Sequence, residues 1–237
     1  MPAGPHDRGE RLLGVAAAIA AAANGEHPVE DLCRACAQIL SVAGASVVVM
    51  SGGVRGLGGS SDPVSARIEE LQETLGEGPS VDAHQTGHAV SEPDLATPRR
   101  PRWAAFAPAA LAAGAGALFS VPLRIGGVRL GALTLYRPMP GELSAGQHLN
   151  AQALANMVAN IILSMQAEAS AGSLSPDLDG LVGHRSEVHQ ASGMVSVQLG
   201  VGVGEALVRL RAHAYATDRP LAEVAADVVA RRLRFDE

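Results

Sequence analysis

Lysine is absent from this 237-residue chain, so each of its 18 cationic side chains is an arginine. Beside abundant alanine, this reads as the codon bias of a GC-rich genome and carries no functional information by itself. Aromatic residues are scarce too: one Trp, two Tyr and three Phe. Any core must therefore be built from Ala, Val, Leu and Ile, and the length suffices for one large or two modest cores. An excess of positive charge is also missing. The net charge of −6 excludes a general polyanion binder, because non-specific affinity for nucleic acid comes from basic surface. Only two cysteines occur, Cys33 and Cys36, too few for a disulfide framework and suited to a reducing cytoplasm. No membrane span is expected, since Pro108, Gly114, Gly116 and Pro122 interrupt the longest apolar candidate. The run from Leu12 to Ala23 has the length of a signal-peptide core, but Asp7 and Glu10 cancel Arg8 and Arg11 where such a signal needs positive charge.

Signatures of chemistry are missing as well. Ser80, Ser120 and the histidines sit in no G-x-S-x-G elbow, and no Walker-type loop or G-x-G-x-x-G precedes a helix. No enzymatic activity and no cofactor are expected. His84 and His88 have the spacing of two metal ligands on one helix face, but Gly87 and the preceding Gly78-Pro79 read as loop or strand and no third ligand is near, so no metal is expected. Cys33 and Cys36 form a C-x-x-C pair without a second pair, and read as two small apolar residues on a helix.

What is present alternates between two periods. After a disordered tail over residues 1–9, an Ala-rich helix spans Leu13 to Ala23, and a second runs from about Val29 to Ser41 with Leu32, Cys36, Ile39 and Leu40 inward. Ala45 to Met50 is a β-branched strand, and Val54 to Ser60 pairs with it through Gly52-Gly53. Val64, Ile68, Leu71 and Leu75 mark a helix from Pro63, ended by Gly76-Glu77-Gly78-Pro79. A polar, Pro-rich passage covers Ser91 to Arg102, a short helix follows around Trp103 to Ala113, and strands Leu118 to Arg124 and Val128 to Arg137 meet at Ile125-Gly126-Gly127. A long helix from Ser144 to about Glu168 carries Leu149, Leu154, Val158, Ile161, Ile162 and Met165 as a seam. The predicted fold is an α+β sandwich with an antiparallel sheet flanked by helices. Residues 167–182 are small, polar and Pro/Gly-containing, a linker or a loose helix.

The last stretch, His184 to Leu233, reads as three short amphipathic helices. Val188, Ala191, Val195 and Leu199 form one apolar face, and Gly200 to Gly204 separate it from a second helix lined by Val203, Leu207, Leu210 and Ala214. Pro220 opens a third helix carrying Leu221, Val224, Ala225, Val228 and Val229 inward. Between His184 and Arg234 there are seven Arg against five Asp and Glu, a local excess of +2.

In this stretch Ala191-Ser192-Gly193, Glu205-Ala206 with Leu210 and Ala214, and Leu221 with Ala225 resemble the three helices of the ANTAR domain, an RNA-binding module of transcription antitermination. Ser192 is neutral where that family often carries lysine. The order of elements before it, with Leu75-Gly76-Glu77-Gly78-Pro79-Ser80, resembles a GAF sensor domain. Ser80 stands where related sequences often have Cys, so thiol sensing is not implied. The resemblance implies a GAF-like domain over 10–166, the linker, and an all-α three-helix ANTAR-like domain over 183–237. It further implies a cytoplasmic, signal-responsive regulator whose GAF domain takes a small-molecule ligand and whose ANTAR domain binds RNA stem-loops in tandem to prevent termination. The residues expected to meet RNA are Arg185, His189 and Ser192 on the first helix, read together with Ser196 as sharing the face opposite the apolar stripe, and Arg209 and His213 on the second. Guanidinium suits phosphate and stacking, and His and Ser suit base edges. The Ser144 to Glu168 helix is expected to pair with its copy in a homodimer. A GAF cavity that is at most loosely polar is expected, because no titratable cluster is readable near Leu75 to Val81. The alternative is a dimeric sensor or scaffold whose tail makes protein contacts only.

Overall fold

Helices α1 (Pro28–Leu40), α2 (Pro63–Leu75) and α3 (Pro79–Thr86) each begin at a proline, whose missing N–H costs nothing in a first turn. The computed structural model describes residues 17–19, 21–22, 27–51, 54–98, 102–168 and 176–235. The expected tail, the Gly52-Gly53 turn and residues 169–175 of the expected linker lie outside these. Of the Leu13 to Ala23 helix, residues 17–19 and 21–22 are helical, with Ile19 buried.

Five antiparallel strands form one sheet in the order β2-β1-β5-β4-β3: β1 (Gly44–Ser51), β2 (Val54–Ser60), β3 (Val90–Glu92), β4 (Ala117–Ile125) and β5 (Val128–Arg137). Successive side chains point to opposite faces of a strand, and this divides the molecule. Val47, Phe119, Val121, Leu123, Leu133 and Leu135 pack on one face with Leu32, Cys33, Cys36 and Leu40 of α1 and with Leu154, Val158 and Ile162 of α5 (Ala145–Glu168). Leu118 and Tyr136 turn to the other face, where Ile68 and Leu71 of α2, Ala83 of α3 and Phe106 and Ala110 of α4 (Phe106–Ala112) close a second core with Trp103. Gly131 stands in β5 between β1 and β4, and a Cβ there would lie 1.8 Å from the Val48 carbonyl oxygen. Only glycine lets these strands approach so closely.

The C-terminal part is α6 (Pro176–Leu199), α7 (Val203–Ala216) and α8 (Leu221–Val229). Its own core holds Val188, Ala191 and Val195 of α6, Ala206, Leu210 and Ala214 of α7, and Leu221, Val224, Ala225 and Val228 of α8. Val203, read as apolar lining, is 54% exposed, and Ala206 takes the inward place. The expected linker is helical from Pro176, as the first turns of α6.

Three further elements differ from the sequence reading. Residues 79–86 are helical, so His84 lies in α3, which Gly87 caps in the left-handed region at φ 70°. β3 overlaps the start of the passage read as polar and Pro-rich, and its three residues are too few to show alternation. Most of the α5 seam lies on its own sheet, leaving Leu149 and Leu163 exposed among Asn150, Gln152, Asn156 and Asn160. Among the described residues no single helix is long and apolar enough to cross a membrane.

The start of α2 is held by Asp62, whose carboxylate accepts from Val64 N at 2.9 Å, Ser65 N at 3.0 Å, Ser61 Oγ at 2.6 Å and Tyr136 Oη at 3.1 Å. Burial alone pushes this carboxyl up, but the hydrogen bonds from Ser61, Ser65 and Tyr136 outweigh it and hold the pKa below the ordinary aspartate value. Burial and the Asp62 charge push the Tyr136 phenol up to about 12. A depressed folded-state pKa gives stability that is present above the unfolded value and is lost as pH falls through the folded one. Replacement of Asp62 by Ala should therefore cost about 1 kcal/mol at pH 7 and flatten the loss of stability below about pH 4. Urea midpoints of both proteins at pH 7 and pH 3 measure this.

Candidate nucleic-acid interface and sensor core

The stretch Leu75 to Ser80 joins three helices, and each residue after Leu75 has a separate task. Gly76 ends α2 at φ 68°, its N–H donating to the Gln72 carbonyl at 2.9 Å. Glu77 reaches across to α4, where its Oε1 accepts from Ala105 N at 2.9 Å and Phe106 N at 2.8 Å, so it caps that helix from outside. Gly78 passes so close to Gln72 that a Cβ would lie 2.5 Å from Gln72 Oε1. Pro79 opens α3, and Ser80 turns into the core.

There Ser80 meets a polar cluster that sequence reading missed. Glu69 and Gln72 of α2 are buried, at 2% and 0% exposure. Glu69 accepts from Ser46 Oγ at 3.1 Å and from Ser80 Oγ at 3.0 Å. Gln72 Oε1 accepts from Ser80 N at 2.7 Å, while its Nε2 is buried without a hydrogen-bond partner. The strands continue the polarity: Ser46 pairs with Thr134 across β1 and β5, and Thr134 with Ser120 across β5 and β4, the two hydroxyls lying 2.9 Å apart. A row of hydroxyls therefore crosses three strands beneath a buried carboxyl. No titratable cluster is expected near Leu75 to Val81 from sequence, and the structure adds to that stretch one buried carboxyl from outside it. Glu69 lies six residues earlier in sequence and is brought to Ser80 by the turn at Gly76-Glu77-Gly78. The available signal was a polar pair at i, i+3 on the face that Ile68 and Leu71 mark as inward.

Cys33 and Cys36 are buried in α1 against the sheet, where desolvation pushes the thiol of Cys36 up to about 12 and that of Cys33 upward as well. Such thiols hold little of the reactive thiolate. His88 is exposed, its Nδ1 2.9 Å from the Thr86 carbonyl, and no group of three metal-binding side chains occurs among the described residues.

In the C-terminal module, α6 and α7 meet at a bend of 103°, and the expected contact residues separate. His189 is exposed on α6. Arg209 is exposed on α7, 3.3 Å from Glu205 one turn earlier, a surface pair that competes weakly with other partners. The backbone of Arg185 lies in α6, and its side chain is outside the described part. His213 is half-buried, its ring set edgewise on Phe235 at 5.4 Å. Ser192 does not share the outer face with His189. It is 1% exposed within the apolar stripe, and its hydroxyl donates to the Val188 carbonyl at 2.7 Å. Four residues after Val188 and three before Val195, both buried, it falls on the inward stripe, correcting the face assigned from spacing. Ser196 is half-buried and donates to the Val201 carbonyl at 2.5 Å, holding the turn to α7. A Cβ on Gly193 would meet nothing within 4 Å, so packing inside the chain does not require glycine there.

The module also touches the sensor. The backbone of α6 runs past β2, the outer strand, and α7 and α8 rest on α2. Arg67 of α2 pairs with Asp218 after α7 at 3.2 Å. The Arg211 guanidinium lies against Gly76, so that a Cβ there would be 2.7 Å from Nη1. Between these contacts is a cleft of about 80 Å³ lined by Leu71, Thr74, Ala214, Tyr215 and Arg219 among others. Neither contact is visible in the sequence, because the partners are more than 130 positions apart.

Comparison with known proteins fits this division. The GAF domain family matches residues 26–163 and the ANTAR domain family residues 177–229. No curated protein matches by sequence. Among solved structures, the GAF domain of a phosphoenolpyruvate-protein phosphotransferase from Coxiella burnetii is similar with a TM-score of 0.51 at 15% identity, covering 67% of this chain and 94% of that one. The GAF domain of the Acinetobacter phosphoenolpyruvate-protein phosphotransferase gives 0.50 at 13%, covering 68% and 97%. A domain of a two-component sensor histidine kinase protein from Sinorhizobium meliloti gives 0.50 at 20%, covering 61% and 96%. At these identities the likeness concerns the fold. With a GAF match over more than half of its length and an ANTAR match behind it, the chain belongs to the GAF domain family and carries a C-terminal ANTAR domain, the make-up of a regulator.

Proposed function

We propose that this regulator is a cytoplasmic RNA-binding antiterminator, in which the GAF domain senses a small ligand or signal and the ANTAR domain captures RNA stem-loops in tandem so that a terminator does not form. The observation that carries this reading is the three-helix module with its own core, which leaves His189 and Arg209 on its outside. The contacts proposed are Arg185, His189 and Arg209, with His213 at the margin because Phe235 shares its ring. Gly193 leaves open surface beside His189 where an RNA backbone has room to approach. Ser192, being buried, acts on the module's packing rather than on RNA.

With a local excess of only +2, one module binds one hairpin weakly, and useful affinity requires two modules held together, since tethering multiplies two weak contacts through effective concentration. The proposed dimer element is α5, through Leu149 and Leu163 on its outer face. A scaffold role for the tail is the second reading, favoured by the exposed Val197, Val203 and Val208 of the module.

Binding of the full chain to RNA carrying one or two stem-loops, titrated at several salt concentrations, separates the readings. The antiterminator binds the pair far more tightly than the single loop and loses affinity as salt rises, because phosphate contacts release counterions; the scaffold shows neither. Arg209→Ala should weaken tandem binding while helix content and molecular mass stay unchanged, measured by circular dichroism and light scattering. Ser192→Ala should leave RNA affinity unaltered and stability within about 1 kcal/mol. Ser192→Lys, placing an ammonium in the apolar stripe, should destabilise the module by about 2 kcal/mol or more, read as a lowered urea midpoint.

A further inference from the structure

The basic side chains of the ANTAR module are not equally available. Arg209 is paired with Glu205, and Arg219 and Arg232 converge on Asp227, each at 2.7 Å. Arg211 is different in kind, because it is directed out of its own module and onto the C-terminal end of α2 in the sensor. A guanidinium is favoured there, since the last carbonyls of a helix carry partial negative charge. Gly76 suits this place: its φ of 68° favours glycine, and a side chain there would have to move the Arg211 guanidinium. Residues Arg211, Tyr215 and Asp218 follow the i, i+4, i+7 spacing of one helix face, with Asp218 just beyond the end of α7, and it is this face that meets α2.

We infer that Arg211 is an RNA-phosphate contact that the sensor withholds, and that the joint between α2 and the end of α7 is the latch that withholds it. The inference rests on the RNA-binding reading above and adds its regulation. In a module with an excess of +2, one guanidinium is a large part of the attraction for phosphate, and while docked it faces protein. The joint is built to open. Asp218 is 91% exposed in its pair with Arg67, a setting in which an ion pair contributes little, and a cleft of about 80 Å³ beside it limits the packing across the joint. The latch also has a route to the sensor's interior. The same helix that presents Arg67, Thr74 and Gly76 outward presents Glu69 and Gln72 inward to Ser46 and Ser80. A change in that polar cluster therefore displaces the surface on which α7 rests.

The test uses the full chain and a tandem stem-loop RNA. Arg67→Glu removes a cation from the sensor, so on charge alone it should weaken RNA binding. The latch requires the opposite: affinity rises roughly three- to tenfold, the factor by which a competent fraction of about a third to a tenth limits apparent affinity. Asp218→Arg, which sets two arginines against each other, should raise it as well. Arg211→Ala added to Arg67→Glu should remove the gain. Amide hydrogen exchange in the α2 C-terminal turn and in residues 211–219, measured without RNA, reports undocking independently, and both single variants should speed it. The inference is overturned if undocking is seen and affinity is unchanged or lower, if the gain survives Arg211→Ala, or if neither variant loosens the joint. If no form of the chain binds the RNA at any salt concentration, the RNA-binding reading falls and takes this one with it.

Discussion

Helix α2 has no open side. Beyond Pro63 every residue of it is at least partly covered, by the sheet, α3 and α4 inward and by the ANTAR module outward. A helix so placed cannot shift on one face without disturbing the other, because close-packed side chains transmit displacement rather than absorb it. Its two ends are fixed by different means. Asp62 gathers two backbone N–H groups and three hydroxyls at the start. At the end, Gly76 turns the chain and makes room for Arg211. Between them the inward face sets Glu69 and Gln72 beside Ile68 and Leu71, where a wholly apolar stripe would be the simpler solution.

That polarity is costly unless it is satisfied. Glu69 has two serine hydroxyls and Gln72 Oε1 has a backbone donor, but the buried Nε2 of Gln72 has no acceptor. A polar group left so at the centre of a sensor core is a place where an arriving acceptor is stabilised. It sits one helix width from the joint that holds the ANTAR module. The proposed latch thus depends on local features: a buried amide, a row of hydroxyls in register, and a surface joint weak enough to open.

Much of this architecture was legible in the sequence, and the residues show why. The β-branched run at Ala45 to Met50, the apolar strands between Leu118 and Arg137, and three apolar stripes after His184 need only local pattern, and they give the sheet and the helical module. The turn at Gly126 was legible for the same reason. β3 was not, because pairing with β4 rather than its own three residues makes it a strand. The α3 stretch reads as loop or strand because Gly and Pro flank it, although at Pro79 and Gly87 they serve as helix start and helix cap. Ser192 was placed outside because a small polar residue fits either face, and its bond to the Val188 carbonyl lets it sit inside. The joint between Arg67 and Asp218 is purely tertiary, so no spacing rule reaches it.

In the proposed regulation the sensor and RNA compete for one face of α7. Coupling of this kind is reciprocal: if docking on α2 weakens RNA binding, RNA binding must weaken docking by the same factor. The direct measurement is amide hydrogen exchange in α2, from Glu69 to Gly76, in the unmodified chain with and without saturating tandem stem-loop RNA. Competition predicts faster exchange there when RNA is bound, as the outer cover of the helix departs. Exchange that stays the same or slows on RNA binding would show that the module remains seated on α2 while holding RNA, and would contradict the account.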